Sequence, residues 1–260
     1  MMSREQTHRP WAQLGENSAE KLIPWLAMTD HKASLERTFG HAANSELLQI
    51  GGRRVSQKRS QIRVEALLIA ADQLLRTQEI ADIGIYDVAH RADVPPASAY
   101  HFFPTKESVF LALADKYLQE LHLTLAASLN IAVVERWPDY IQSRYDSAVT
   151  FFNDRVAARK LLLGAVVGSD IKNLDLADID RYTAAWYDEM NTIFVMPYVK
   201  DAHLKFTVLI GIYDGIWQAS YAKYGHINSE FAREGLAAGL AYLETFLPKT
   251  IPLRDPSSRS

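Results

Sequence analysis

The residues best suited to chemistry on another molecule lie between Ile85 and Lys106, in the stretch IYDVAHRADVPPASAYHFFPTK. Its spacing predicts a short helix, a tight turn, a second short helix and the capped start of a third, the arrangement that lowers a helix into the major groove of DNA. Val88 and Ala89 fall on the inner face of the first helix, and Ala89 is small enough for a second helix to cross close above it. Asp93 stands where the chain must reverse, a place where aspartate tolerates the left-handed conformation. Pro95 and Pro96 close one helix and open the next, because proline lacks a donor amide and its fixed φ suits a first helical turn.

On the second helix Pro96, Ala97, Ser98, Tyr100 and His101 are expected outward, with Ala99, Phe102 and Phe103 turned to a core. Small residues let the backbone approach base edges and thymine methyls, while Ser, Tyr and His bond bases or phosphates. Thr105 then caps a longer helix carrying Lys106 in its first turn, with Val109, Phe110, Leu113, Tyr117 and Leu121 at helical spacing. A lysine at such an amide-rich start reads as a phosphate clamp. The same pattern also fits a helical hairpin whose aromatics only pack.

The elements that must position this segment flank it on both sides. Val64, Leu67, Leu68, Ala71, Leu74 and Leu75 form one apolar stripe, predicting a helix over 64–77. Ahead of it Arg53, Arg54, Lys58, Arg59 and Arg63 form a basic run without an acid. As an arm on the phosphate backbone this run adds salt-sensitive affinity; its alternative is a solvated linker.

From about Val64 to Leu121 the chain resembles the DNA-binding domain of the tetracycline-repressor (TetR) family of bacterial regulators. The matching residues are the Leu67, Leu68, Ala70, Ala71, Leu74, Leu75 pattern, the Val88–Ala89 pair and above all Tyr100-His101-Phe102-Phe103-Pro104-Thr105-Lys106-Glu107. Three positions depart from that family's pattern: Asp93 replaces its glycine, Pro95 a serine-like cap and Gly84 a threonine cap. The resemblance implies an all-α fold, with an N-terminal three-helix helix-turn-helix DNA-binding domain followed by a larger helical ligand-binding and dimerisation domain. Its expected boundaries are an extension over 1–52, the basic arm and reading head over 53–107, the helical effector-binding and dimerisation domain over 108–248 and a flexible tail over 249–260. The extension, with scattered Pro and Gly and the hinge-like pair Gly51-Gly52, reads as mostly flexible, with a short helix near Leu35 or Leu47.

The whole chain agrees with this class. Its 260 residues are 48% hydrophobic and 23% charged, ordinary globular composition. A net charge of −3 does not advertise nucleic-acid binding, so any such binding must rest on local charge. Cysteine is absent, which excludes disulfides, thiolate metal sites and cysteine nucleophiles and is compatible with a cytoplasmic location. Met1–Pro10 lacks the apolar core of a secretory signal, and the longest apolar run, Phe206–Trp217, falls short of the roughly 20 residues of a membrane span, so no membrane partner is expected. An enzyme is not expected either. No Gly-x-Ser-x-Gly elbow, His-Glu-x-x-His pair or phosphate-binding glycine loop occurs, and the clear Glu-x-x-His unit, Glu5 to His8, sits in the polar start. No cofactor is implied. An all-helical enzyme with catalytic groups distant in sequence, or an adaptor without an operator, remain the alternatives.

Beyond Trp137 helical patterns run over 138–158, 159–167, 176–195, 202–224 and 228–247, interrupted at Gly168, Asn173, Pro197, Gly225 and Pro248. Phe206–Tyr224 is apolar on nearly all sides, which implies burial against its own domain and a second surface, economically a partner subunit. The next helix repeats Leu236, Leu240 and Leu243, with Gly235 and Gly239 offering close approach. The resemblance implies a homodimer joined through these two helices, with Ile216, Gly235, Leu236, Gly239, Leu240 and Leu243 at the interface, reading a palindromic double-stranded DNA operator. It also implies an unidentified small-molecule effector, apolar or amphipathic, for which Arg144, Tyr145, Phe152, Trp186, Tyr213, Asp214 and Trp217 are the candidate contacts. Individually these aromatics fit core packing as well, and Asp214 fits a carboxylate paired across a dimer.

Overall fold

The computed structural model describes residues 53–128, 134–164 and 169–255; the expected extension over 1–52 lies outside them. Among the described residues the chain is helical, with one isolated antiparallel bridge, Phe194 to Leu253. None of the helices described is long and apolar enough to cross a membrane.

Helix α1, Arg53–Leu75, begins well before the predicted Val64. The basic run is therefore the first turns of a helix and not an arm ahead of it, because no Pro or Gly interrupts the chain between Gly52 and Leu75. A 3-10 turn, Ile80–Asp82, leads into α2, Ile85–Arg91, and α3, Pro96–Phe102. Gly84 has no side chain to cap α2, so Asp87 reaches back and its carboxylate accepts from the Gly84 N–H at 2.7 Å. At the far end Asp93 takes φ +52, with the Val94 N–H on the Ala89 carbonyl at 3.0 Å and the Asp93 N–H on that of His90 at 3.2 Å. These paired bonds are a Schellman stop, and Val94 folds its buried side chain under it. Val88, Ala89, Ala99 and Phe103 are buried as expected, while Phe102 stays part-exposed.

Helix α4, Lys106–Ser128, starts on a reciprocal cap: the Thr105 hydroxyl accepts from the Ser108 N–H at 3.2 Å, and the Ser108 hydroxyl bonds back to Thr105. Its 23 residues run about 35 Å at 1.5 Å per residue. Val109, Phe110, Leu113, Ala114, Tyr117, Leu118, His122 and Leu125 line its buried face. The N-terminal half packs on α1, where the Tyr117 hydroxyl bonds Asp72 and Lys116 pairs with Glu65. The C-terminal half belongs to the second region.

That region holds α5, Trp137–Asp154; α6, Val156–Ala158, which runs into a π turn, Arg159–Leu163; α7, Ser169–Ile193; α8, Ala202–Tyr224; and α9, Ser229–Glu244. Helix α7 passes through Asn173, where an interruption was expected; a single Asn costs a helix only a fraction of a kcal/mol, about 0.7 at most, and does not break it. Lys160 of the π turn ties this region to the reading head, donating to the Gln78 carbonyl and the Glu79 carboxylate, both at 2.8 Å. The chain after Pro248 is not a frayed tail as far as Asp255. Val195 and Arg254 exchange backbone bonds with Pro252 and Ile193 at 2.8 Å, and Ile251 is buried, so apolar burial docks 249–255 beside the end of α7.

Candidate functional site

Two features of the fold collect the candidate site residues: the outward face of α3 and a cavity in the second region. On α3, Pro96, Ala97, Tyr100 and His101 are exposed and Ser98 is part-exposed, with Thr105 exposed at the head of α4. Ala99 and Phe103 anchor the opposite side. Helix α3 is therefore held from behind while its small and hydrogen-bonding residues stand clear, the geometry groove entry requires. Arg59 is exposed on α1, whereas the side chains of Arg53, Arg54 and Lys58 lie outside the described residues.

Lys106 departs from its expected place as a phosphate clamp. Its ammonium donates to the Ala81 carbonyl at 3.1 Å and the Ile80 carbonyl at 3.4 Å. Carbonyls at the end of a 3-10 turn lack intrahelical partners and attract a cation, so Lys106 fastens the turn before α2 to the start of α4. Tyr86 was missed from sequence. It is 62% exposed on α2, with its ring edge-on to Tyr100 at 5.5 Å. Its signal was its phase, since Tyr86 falls off the buried face set by Ile85, Val88 and Ala89.

The cavity lies among α4, α5, α7 and α8 and encloses about 670 Å³ of empty space, open solvent at its mouth included. All seven candidate contacts, Arg144, Tyr145, Phe152, Trp186, Tyr213, Asp214 and Trp217, line it. The aromatic members hold one another in place: the Trp217 indole N–H donates to the Tyr145 hydroxyl at 2.9 Å, and Tyr145 meets the Tyr213 ring edge-on at 4.7 Å. Four further polar side chains, His122, Asp175, Asp178 and Tyr182, also line it. The last three repeat at i, i+3 and i+7 along α7, a one-face spacing masked in sequence by the helix's mixed polarity.

The charges of the lining are mostly matched. Arg144 is 4% exposed, pairs with Glu189 at 2.7 Å and donates to the Tyr182 hydroxyl at 2.9 Å. Burial works to lower its pKa, but Tyr140, Tyr182 and Glu189 overcome that and hold it above its ordinary value. His122 meets the Asp178 carboxylate at 2.9 Å and stacks on Tyr182. Asp175 accepts from Lys172 at 3.0 Å. Asp214 has no hydrogen bond or ion pair among the described residues. It is part-exposed and lines the cavity, and burial, with Asp175 adding and Lys172 opposing, pushes its carboxyl up to about 7. Asn153 and Asn191, polar groups in apolar stretches, serve other joints: Asn153 brackets the backbone of Ile227 and Asn191 holds Arg254.

The expected dimer residues divide. Gly235, Gly239 and Leu243 are buried inside the chain and are not available to a partner. A Cβ at Gly235 would overlap the Tyr145 hydroxyl and one at Gly239 the Tyr213 ring, so these glycines let α9 press on the aromatic wall of the cavity. Leu236, Leu240 and Ile216 remain part-exposed. A clearer outward stripe runs along α8 through Leu204, Val208, Gly211, Gly215 and Ala219, all exposed and small or apolar.

No protein-family model matches the chain. The HTH-type transcriptional regulator EthR of Mycobacterium tuberculosis is 25% identical over 167 residues, which cover 61% of this chain and 75% of that protein. EthR of Mycolicibacterium smegmatis is 35% identical over a shorter stretch of 68 residues, covering 26% of this chain and 31% of that one. The fold is similar to the crystal structure of a TetR-family transcriptional regulator from Streptomyces coelicolor, with TM-score 0.54, 20% identity and coverage of 73% of this chain and 99% of that chain. In sequence the chain is similar to these EthR regulators, and its all-α architecture, with an α3 face standing clear of its support, is similar to that of the TetR-family regulator from Streptomyces coelicolor.

Proposed function

We propose that the protein is a ligand-responsive repressor that binds a palindromic operator as a homodimer and is released by a small apolar or amphipathic effector held in the cavity among α4, α5, α7 and α8. The observation that carries this reading is the position of α4. One helix is capped directly after α3, packs on α1 with its first half and lines the cavity with Leu118, Leu121, His122 and Leu125 from its second. An occupant that favours one tilt of α4 thereby biases the spacing of two α3 helices in a dimer. Pro96, Ala97, Ser98, Tyr100 and His101 would face the bases, with Arg59, Thr105 and the basic first turns of α1 on phosphates. The α8 stripe supplies the surface for pairing, because small residues let two helices approach closely.

A 100-fold release requires about 2.7 kcal/mol of coupling between the two sites, whatever the effector's absolute affinity. The test is to recover bound fragments genome-wide with the purified protein and then measure affinity for the enriched sequence by fluorescence anisotropy, with and without cavity ligand. Enrichment of an inverted repeat, weakened by ligand, is the expected result. Binding to all duplexes alike, or an affinity unchanged at ligand saturation, would overturn the reading.

A further inference from the structure

The cavity's charges leave one remainder, and this deepens the proposed function, on which it rests, by naming the chemical class of the effector. The Arg144 cation is already engaged by Glu189 and the Tyr182 hydroxyl, Asp178 by His122, and Asp175 by Lys172. Asp214 alone among these lining groups has no partner in the described residues, and it opens on the space between the rings. Desolvating a lone carboxylate is costly, and a fold that keeps one beside an apolar cavity is poised to gain when a cation arrives. The walls favour the same sign of charge, since the faces of aromatic rings such as Tyr213 and Trp217 carry negative potential. An anion would have to displace Glu189 from Arg144 and sit near three carboxylates, Asp175, Asp178 and Asp214. We propose that the cavity takes a monocationic amphiphile, a protonated amine or quaternary ammonium on an alkyl or aryl body, with its head against Asp214 and its body along Leu118, Ile141 and Phe152.

Proton linkage follows from this placement. Burial pushes the Asp214 carboxyl up to about 7, so below neutrality a cation must first displace its proton, and affinity for the cation rises with pH. The other titratable or charged groups around it are His122 from α4, Arg144 and Tyr145 from α5, Lys172, Asp175 and Asp178 from α7, and Tyr213 on α8 itself. Removing Asp214 alone separates its contribution from that of His122.

The experiment is calorimetric titration of the full chain with decylammonium, 1-decanol and decanoate, each below its aggregation limit, at pH 6 and pH 8. At pH 8 decylammonium should bind at least ten-fold more tightly than decanol, the gap should shrink several-fold at pH 6, and decanoate should bind weakest. Asp214→Asn should abolish both the gap and its pH dependence while leaving decanol affinity within about two-fold. If decanol or decanoate binds the native chain as tightly as decylammonium, the cation inference is wrong although the effector cavity stands; this comparison needs no variant. A gap that survives in Asp214→Asn overturns the role of Asp214. Failure of all three probes to bind removes the cavity reading and the inference together.

Discussion

Asp214 keeps its proton to higher pH in the folded chain than in the unfolded one. Its carboxyl is pushed up to about 7 by burial, against about 4 for an exposed aspartate, so the unfolded state binds fewer protons between those values and stability falls as pH rises through them. Asp214→Asn, which cannot ionise, should therefore be more stable than the native chain by an amount that grows from about pH 4 to pH 7 and levels off above, reaching on the order of 1–4 kcal/mol. Thermal melts at pH 4, 6 and 8 check this, and a constant difference across the range would refute it. Tyr100 and Tyr86 behave differently, because both are exposed and their rings meet edge-on at the surface. Replacing either with Ala should lower operator affinity about 5- to 150-fold, the equivalent of 1–3 kcal/mol, while changing stability by under about 0.5 kcal/mol. Paired anisotropy and denaturation measurements distinguish loss of contact from loss of fold.

At the scale of elements, α9 shows how a backbone rather than a side chain shapes a cavity. Gly239 lets the helix lie directly on the Tyr213 ring, and a Cβ there has no room unless the ring moves. Gly239→Ala should gain helix propensity, up to about 1 kcal/mol, but lose more to overpacking, typically 1–3 kcal/mol. The expected net result is a lower Tm together with weaker decylammonium binding, since the displaced ring moves into the cavity; an unchanged Tm and affinity would show that α9 is not a supporting wall. Helix α4 is the complementary case, fastened at its head by the Thr105–Ser108 cap and in its middle by the Tyr117 bond to Asp72. Both anchors tie its N-terminal half to the helices around α3.

For the whole molecule the proposed pairing surface is the outward stripe of α8. Gly215 has nothing within 4 Å of where a Cβ would stand, so a side chain can begin there without a clash at its root and replaces a poor helix former. Gly215→Arg should consequently fold with equal or greater stability yet remain monomeric by sedimentation, and its operator affinity should fall steeply because one half-site contact replaces two. A stable variant that still sediments as a dimer would move the interface elsewhere, for example to the part-exposed Leu236 and Leu240 of α9.

The turn and caps of the reading head were legible in the sequence because they are local. Asp93 in the left-handed region, Pro96 opening α3 and Thr105 capping α4 each follow from what one or two residues can do with their own backbone. The seven candidate contacts all line the cavity, yet there the residues showed only that bulky aromatics and a few charges recur in helices; resemblance supplied the idea of a pocket. Tertiary structure alone decided where long side chains and small residues point. Lys106 turned from a phosphate to the carbonyls of Ile80 and Ala81, and Gly235 and Gly239 turned from a partner subunit to Tyr145 and Tyr213. Asp214 became the unmatched charge among the described lining groups only once Arg144 and Asp178 had found partners on other helices and Asp175 one turn away on its own. Helical periodicity assigns a residue to a face, but which helix covers that face depends on contacts between segments up to about a hundred residues apart, and those are settled by packing the whole domain.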